Sequence, residues 1–224
     1  MLNQSDENYL RALWMHHEAP LSFRVTQAIL ARQHKHSGPA AHKIVHKLIA
    51  KGLIITGQDG SIQLSKSGLE HGALIVRKHR LWEVFLVEKL GFDWGSVHDL
   101  AGSLEHIGDA DFINRLESYL NSPRFDPHGD PIPDRDGKIE RSIFYPLSEW
   151  PLHENCSIIG VREQSQSFLD WMLATGLVLG TRLIIKQKLL FDGSIIVDIL
   201  DKNNLLKDKA TLSPFAADHI LVEE

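Results

Sequence analysis

The chain has 224 residues, of which 43% are hydrophobic and 24% charged, and its formal net charge is −5. This composition excludes a largely disordered chain, and the length predicts two or three domains. No apolar run approaches the roughly 20 residues that cross a bilayer, and the sequence has no secretory signal pattern, so we predict a cytoplasmic protein without a membrane partner. The single cysteine, Cys156, predicts that the chain has no disulfide.

The charge is distributed unevenly along the chain. Residues 1–66 contain eight Lys and Arg against four Asp and Glu, a surplus of four, so the remaining residues carry −9 to give the net −5. Six of the thirteen histidines also lie in this segment. A basic segment on an acidic protein favours one surface that binds a polyanion.

Residues 1–66 predict three helices followed by a β-hairpin. Ser37 is a suitable N-cap and Pro39 suits the first turn of the third helix. The predicted helices run from about Ser5 to Glu18 (followed by Ala19 and Pro20), from about Arg24 to Gln33, and from Ser37 to Ala50. The predicted strands are 53–56 and 61–64. This order is typical of a winged helix-turn-helix, whose third helix enters the major groove of DNA. A small helical bundle with an added hairpin is the alternative.

The middle of the chain predicts a helical domain. Residues 65–90 predict one long helix, whose apolar surface is too wide to be buried against a single partner. Helices are also predicted at 97–107 and 109–120. Residues 121–137 are rich in Pro, Gly and Asp and predict a loop. Residues 137–153 have no clear period and predict a linker.

The last part of the chain predicts a compact β-rich domain. Strands are expected at 156–161, 181–188, 194–200 and 219–222, with one helix at 165–175 that ends at Gly176. This pattern favours an SH3-like barrel. The predicted fold class is therefore α+β, with domains at 1–66, 67–136 and 154–224.

Side chains of metal-ligand type are concentrated in the middle domain. His79 and Glu83 are four residues apart on the long helix and so project from one face. The further candidates are His98, Glu105, His106, Asp126 and His128. Taken singly, each is more often a surface or capping residue. Together, imidazoles and carboxylates without thiolates favour a borderline divalent cation such as Mn²⁺, Fe²⁺ or Zn²⁺.

These motifs, in this order, carry a resemblance to a known family. The stretches concerned are Val76–Glu83, Val97–Asp99, Glu105-His106, Pro127–Pro133, Glu7–Arg11, Ser37–Pro39 and Lys51–Leu53. In these stretches the chain resembles the diphtheria toxin repressor family of metal-dependent transcriptional regulators, and the order of domains extends the resemblance over nearly the whole chain. The resemblance implies a homodimer that binds double-stranded operator DNA when loaded with Mn²⁺ or Fe²⁺ and represses metal-uptake genes; Zn²⁺ is expected to substitute in vitro.

The resemblance also implies two metal sites. One would use His79, Glu83 and His98, completed by a carboxylate of the third domain, for which Glu163 is the best candidate and Gln166 a helper. The other would use Glu105 and His106 with position 102 and a first-helix ligand, here Asn8. In some manganese-type members a Cys-Pro-His-Gly loop supplies ligands, and in this chain the loop has Asp126 and His128.

Two departures weaken the second site. Asn8 offers only a neutral amide oxygen, and Gly102 offers no side chain. Either Asp6, Glu7 or water completes this site, or the site is degenerate. The absence of sulfur favours Mn²⁺, with Fe²⁺ as the alternative. An alternative function is a DNA-binding regulator of the same fold that has lost metal control through Asn8 and Gly102.

DNA contacts are expected from the third helix and the hairpin. Lys43 has two open roles, recognition of guanine or contact with phosphate alone. The predicted contact residues are Ser37, Pro39, Ala40 and Lys43 near the start of the helix, and Lys47, Gln58 and Ser61 on phosphates.

Dimerisation is expected from apolar residues of the middle domain, for which the alternative role is the core of the monomer. These residues are Leu100, Leu104, Ile107, Phe112 and Leu116. A metalloenzyme is disfavoured because no HExxH, GxSxG or phosphate-binding loop is present in a suitable context. We therefore predict neither catalysis nor a small-molecule substrate.

Overall fold

The computed structural model describes residues 2–18, 24–139 and 144–224. These residues form two compact units. The first contains residues up to 82 together with 101–122 and 132–140, and the second contains 83–100, 123–131 and 141–224. Helices and antiparallel sheets occur together, so the predicted α+β class is confirmed. Within the described ranges, every helix is too short or too polar to cross a membrane.

The first unit begins with the three predicted helices and the hairpin. Their bounds are α1 Gln4–Glu18, α2 Gln27–Gln33, α3 Gly38–Ala50, β1 Ile54–Thr56 and β2 Ile62–Leu64. The second helix begins later than predicted because Thr26 caps it, its hydroxyl accepting the N–H of Ile29. Ser37 caps α3 as expected by accepting the N–H of Ala40. Ala19 and Pro20, predicted to end the first helix, lie outside the described residues.

The core of this part is formed by apolar side chains that the helical period places on one face. Tyr9, Leu10, Leu30 and Leu48 are fully buried and pack with Ile54 of the hairpin. Burial of such side chains contributes roughly 1.5–3 kcal/mol each relative to exposure. The hairpin is therefore held to the helices, which leaves the opposite face of α3 exposed.

Three further helices follow. Their bounds are α4 Lys66–Leu90, α5 Val97–Leu104 and α6 Ala110–Tyr119. Helix α5 ends earlier than predicted because the chain turns at Gly108, whose φ is +86°. Asp109 then caps α6 by accepting the N–H of Phe112.

The second unit contains a six-stranded antiparallel sheet with the order β3-β8-β4-β5-β6-β7. Its elements are β3 Tyr145–Pro146, β4 Asn155–Val161, α7 Gln166–Thr175, β5 Arg182–Lys188, β6 Ile195–Leu200, β7 Leu206–Leu212, α8 Pro214–His219 and β8 Ile220–Glu223. Its core includes Leu147, Ile158, Leu169 and Met172, all nearly inaccessible to solvent.

Two parts of this unit differ from the sequence-based expectation. Residues 145–150, predicted as linker, form β3 and a 3₁₀ turn (Leu147–Glu149) and bury Leu147 and Trp150; residues 140–143 lie outside the described ranges. Strand β7 is absent from the prediction because it is largely exposed and lacks an alternating apolar pattern. Cys156 is buried, and burial raises the pKa of its thiol to about 12, so the thiol stays neutral.

Candidate metal centre

Three buried ligand-type side chains converge in the second unit. They are Glu83 near the end of α4, and Asp126 and His128 in the loop that follows α6. One potential ligand atom from each lies within 4.8 Å of the others. Their exposed fractions are 1%, 3% and 4%. Ionisable side chains are rarely buried so completely unless they are paired or coordinate a metal.

The loop that carries Asp126 and His128 is fixed by backbone hydrogen bonds. Oδ1 of Asp126 accepts the N–H groups of His128 at 2.8 Å and Asp130 at 2.9 Å. The carbonyl of His128 accepts the N–H of Val161 on β4 at 2.8 Å. The loop therefore follows the sheet, and the position of His128 is set by β4.

Gly129 permits this close approach. Its φ is +89°, and a Cβ at this position would lie 2.1 Å from Cα of Gly160 and 2.2 Å from the carbonyl oxygen of Ile159. Real Cβ atoms essentially never lie within 3.0 Å of such neighbours. Only glycine fits between the loop and β4.

The orientation of His128 makes it a suitable ligand. Its Nε2 lies 2.9 Å from the carbonyl oxygen of Trp94, and a carbonyl only accepts, so Nε2 carries the hydrogen. In the neutral imidazole, Nδ1 then presents its lone pair. Nδ1 lies 3.9 Å from Oε2 of Glu83 and from Oδ1 of Asp126. A backbone carbonyl that fixes the histidine tautomer is the usual support of a metal-binding imidazole.

Glu83 also contacts a second histidine of the same unit. Its Oε1 lies 3.2 Å from Nδ1 of His98, while Oε2 faces His128. The His98 side chain is 55% exposed and the Glu83 side chain 2%. His98 therefore lies at the solvent-facing side of the cluster.

The donor set fits a hard or borderline divalent cation. Two carboxylates buried close together repel each other, and a cation removes this cost. Two oxygen donors and one nitrogen donor, without sulfur, match the preferences of Mn²⁺ and Fe²⁺. Glu83, Asp126 and His128 would hold such an ion, with His98 as an additional ligand.

A second cluster lies in the first unit and has a different character. His79 and Glu105 are 5% and 0% exposed, and Nδ1 of His79 is 2.6 Å from Oε2 of Glu105. Nε of Arg11, on α1, forms an ion pair with Oε1 of Glu105 at 3.1 Å. His106 lies between Glu7, 2.6 Å from its Nδ1, and Asn8, 2.9 Å from its Nε2. An arginine is thus present among the predicted ligands.

The structure does not place Glu163 and Gln166 in either cluster. The carboxylate of Glu163 accepts the N–H of Ser165 at 2.9 Å before α7, and the hydrogen bonds from Ser165 lower its pKa. Nε2 of Gln166 donates to Asp170 at 2.8 Å. Among the described residues, the converging groups of three or more ligand atoms include neither side chain. Their role as ligands stays a prediction.

The predicted DNA-contacting residues differ in availability. Ser37, Pro39, Ala40 and Lys43 of the third helix are all exposed, as is Gln58 at the tip of the hairpin. The ammonium of Lys47 instead forms an ion pair with the buried carboxylate of Asp6. The hydroxyl of Ser61 donates to Asp59 at 2.7 Å, and Asp59 in turn pairs with Arg24 at 2.9 Å.

Two residues that shape these sites are not identifiable from the sequence. Arg11 belongs to the Glu7–Arg11 motif, but nothing in its spacing indicates that its guanidinium meets Glu105. Trp94 fixes the tautomer of His128 through its backbone and stacks on the imidazole with ring centroids 6.0 Å apart. A backbone acceptor has no signature in the sequence.

Comparison with known protein families identifies two regions of the chain. Residues 65–134 match the family described as "Iron dependent repressor, metal binding and dimerisation domain", and residues 145–224 match the FeoA domain, which is SH3-like. Three helices with a hairpin, followed by these two regions, define the class of metal-dependent transcriptional regulators.

Individual relatives agree with this class. The iron-dependent repressor IdeR of Mycobacterium tuberculosis (strain H37Rv) is 33% identical over 145 residues, 63% of this chain and 60% of that protein. The diphtheria toxin repressor of Corynebacterium glutamicum is 30% identical over 161 residues, 66% and 68% of the two chains. A solved manganese-dependent transcriptional repressor in complex with manganese is 30% identical, with a TM-score of 0.77 and coverage of 97% and 98%.

The chain belongs to the diphtheria toxin repressor family, whose members are metal-dependent transcriptional repressors and not enzymes. The resemblance inferred from the sequence motifs is thereby confirmed. The alignment with the mycobacterial IdeR spans about 60% of that relative's length.

Proposed function

We propose that this chain is a Mn²⁺- or Fe²⁺-dependent repressor that binds operator DNA of metal-uptake genes when its metal centre is filled. The observation that carries the proposal is the buried cluster of Glu83, Asp126 and His128. The relatives support it, since they are named as iron-dependent or manganese-dependent repressors. His98, whose Nδ1 lies 3.2 Å from Oε1 of Glu83 in the same unit, is the further candidate ligand.

A bound metal ion would join two segments of the chain. Glu83 belongs to α4, and Asp126 and His128 belong to a loop attached to β4. A bound cation supplies the positive charge that lets both carboxylates stay ionised side by side. DNA binding responds to the metal only if the ion binds the DNA-competent arrangement more tightly than other arrangements.

Metal dependence of DNA binding tests the proposal directly. A duplex selected from a random pool in the presence of Mn²⁺ is titrated by fluorescence anisotropy with Mn²⁺ and with EDTA. We expect at least about fivefold tighter binding with Mn²⁺, since allosteric coupling usually amounts to 5–150-fold. Equal affinity under both conditions supports the alternative, a regulator of the same fold that has lost metal control.

Lys43 is expected to contribute directly to DNA affinity. It is exposed on α3, and removing a lysine that neutralises a phosphate weakens binding and lowers its salt dependence. We expect Lys43→Ala to weaken binding about tenfold by anisotropy, equivalent to the lower end of the 1–3 kcal/mol range for a base contact. Lys207→Ala, which removes one exposed positive charge from β7, is the matched control.

The pattern of the weakening separates the two roles of Lys43. Weakening confined to the selected duplex indicates recognition of guanine, and uniform weakening across sequences indicates a phosphate contact. An equal effect of both substitutions contradicts a specific role for α3.

We further propose that the chain forms a homodimer through apolar residues of the middle region. Ile107 and Phe112 are 53% and 44% exposed, and Leu100 is 37% exposed, which is unusual for large apolar side chains clustered along the sequence. Leu104 is half-buried, whereas Leu116 is only 8% exposed and is therefore part of the interior.

Ile107→Glu is expected to yield a monomer, because a charge in an apolar interface stays unpaired. Light scattering measures the mass, which should fall from two chains to one. Leu190→Glu, a change at a fully exposed apolar residue after β5, should leave the dimer intact. A wild-type mass of one chain contradicts the proposal.

A further inference from the structure

We propose that the guanidinium of Arg11 serves as a built-in cation in the second cluster, so that each chain binds one metal ion. This inference rests on the proposed function, because it assigns the metal response to the Glu83 centre alone. The family resemblance implied two metal sites. Glu105, the carboxylate of the second site, is already paired with a side chain of the protein itself.

The contacts of Arg11 include the buried carboxylate that a metal at the second site would need. Its Nε lies 3.1 Å from Oε1 of Glu105, a carboxylate with no exposed surface. Its Nη1 lies 3.1 and 3.4 Å from the two ring nitrogens of His79. An arginine is permanently charged at any accessible pH and prefers carboxylate partners. The guanidinium therefore balances the charge of Glu105 without a metal, while Oε1 of Glu105 has this ion pair but accepts no hydrogen bond from the described residues.

The remaining donors of this cluster also have partners. His106 has Glu7 at 2.6 Å from Nδ1 and Asn8 at 2.9 Å from Nε2, so an ion bound by His106 would have to displace one of these contacts. A divalent cation bound to Glu105 would lie close to the guanidinium, and like charges in a buried site repel strongly.

Gly102 is explained by the same arrangement. A Cβ at position 102 would lie 3.6 Å from Nη2 of Arg11, which is ordinary van der Waals contact. A longer ligand side chain at that position would enter the space of the guanidinium. Gly102 thus leaves room for the arginine, and this departure from the family pattern accompanies the replacement of a metal by an organic cation.

The consequence concerns regulation. Arg11 lies on α1, His79 on α4 and Glu105 just after α5, so the ion pair joins these segments whether or not metal is present. Only the Glu83 centre then responds to metal, and Mn²⁺ binding to the chain should follow a single-site curve.

The stoichiometry of Mn²⁺ binding to the full chain tests this inference. Equilibrium dialysis with metal analysis should give one ion per chain for the wild type and none for Glu83→Gln. Arg11→Leu should give two, because it frees Glu105 and His79 from the guanidinium, and Arg11→Lys, the charge-preserving control, should give one. Two ions bound per wild-type chain would overturn the role of Arg11, and this outcome needs no Arg11 variant to fold.

Thermal unfolding separates failure of this inference from failure of the proposed function. In EDTA, Arg11→Leu leaves a buried carboxylate without its cation, and we expect its Tm to fall by more than about 5 °C, with Arg11→Lys much less affected. Mn²⁺ should restore the Tm of Arg11→Leu. If the wild type binds no Mn²⁺, the proposed function fails. The comparison of Tm values in EDTA still tests whether Arg11 balances the charge of Glu105. An Arg11→Leu variant that melts like the wild type in EDTA and binds no additional ion overturns the inference.

Discussion

Replacing Glu83 by Gln is expected to weaken Mn²⁺ binding by about 100-fold or more and to abolish metal-dependent DNA binding. Removal of an outer-sphere partner alone costs 10–100-fold in metal affinity, and Glu83 is placed as a direct ligand. Its Oε2 faces Nδ1 of His128, and its Oε1 faces His98. The amide is isosteric but neutral, so the change removes a ligand charge without creating a cavity.

A stability measurement distinguishes loss of the ligand from loss of the fold. At a Mn²⁺ concentration of 100 times the Kd, a bound ion stabilises the wild type by about 2.7 kcal/mol, which corresponds to a Tm shift of roughly 5–10 °C for a chain of this size. Glu83→Gln should keep a Tm close to that of the wild type in EDTA, because it also relieves repulsion with Asp126. Addition of Mn²⁺ should then leave its Tm unchanged.

The matched control for this change lies on the same helix. Glu88, also on α4, has a side chain that is 51% exposed, and its carboxylate pairs with the neighbouring Lys89, 3.3 Å away. Glu88→Gln should bind Mn²⁺ and respond to it as the wild type does. Equal Mn²⁺ affinity of Glu83→Gln and Glu88→Gln would show that Glu83 is not a ligand of the metal centre.

Replacing Gly129 by Ala is expected to destabilise the second unit by roughly 3 kcal/mol or more and to impair Mn²⁺ binding with it. The added Cβ would lie 2.1 Å from Cα of Gly160, which is backbone and cannot rotate away. The loop must therefore separate from β4, and the hydrogen bond from Val161 to the carbonyl of His128 breaks. Backbone strain and a broken hydrogen bond are recognised causes of large decreases in stability.

Gly176 provides the control for the backbone conformation alone. Its φ is +72°, and a Cβ there would have no neighbour within 4 Å. Gly176→Ala should cost about 1–2 kcal/mol, the usual penalty for an L-residue in the left-handed region. Urea unfolding and calorimetry with Mn²⁺ compare the two. If they are destabilised equally and bind Mn²⁺ equally, the close approach of the loop to β4 does not position the centre.

Much of the local structure follows from the sequence. The N-cap at Ser37 and the length of α4 agree with the prediction to within a residue, because capping and helical period depend only on neighbours in the chain. Strand β7 escapes prediction, since an exposed edge strand leaves no apolar pattern. Residues 145–150 resemble a linker in sequence because two short elements give no measurable period.

The grouping of the site residues depended on tertiary structure. The sequence offers seven metal-ligand candidates in and after α4, and the family resemblance joins His79, Glu83 and His98 with Glu163. In the first unit, the structure also pairs His79 with Glu105 and Arg11. In the second unit it groups Glu83 with Asp126 and His128, and no sequence spacing indicates that group.

The sequence by itself determined the chemistry of this protein: a basic helix-rich segment, imidazoles and carboxylates without thiolates, and the order of its domains. These properties belong to individual residues and to short periods, so they survive without knowledge of the fold. Only the tertiary structure decided that one cluster is balanced by Arg11 and that the other has two buried carboxylates. The physical reason is that charge compensation depends on distances of about 3–4 Å between segments far apart in the chain, and those distances are set by packing such as that of Gly129 on β4.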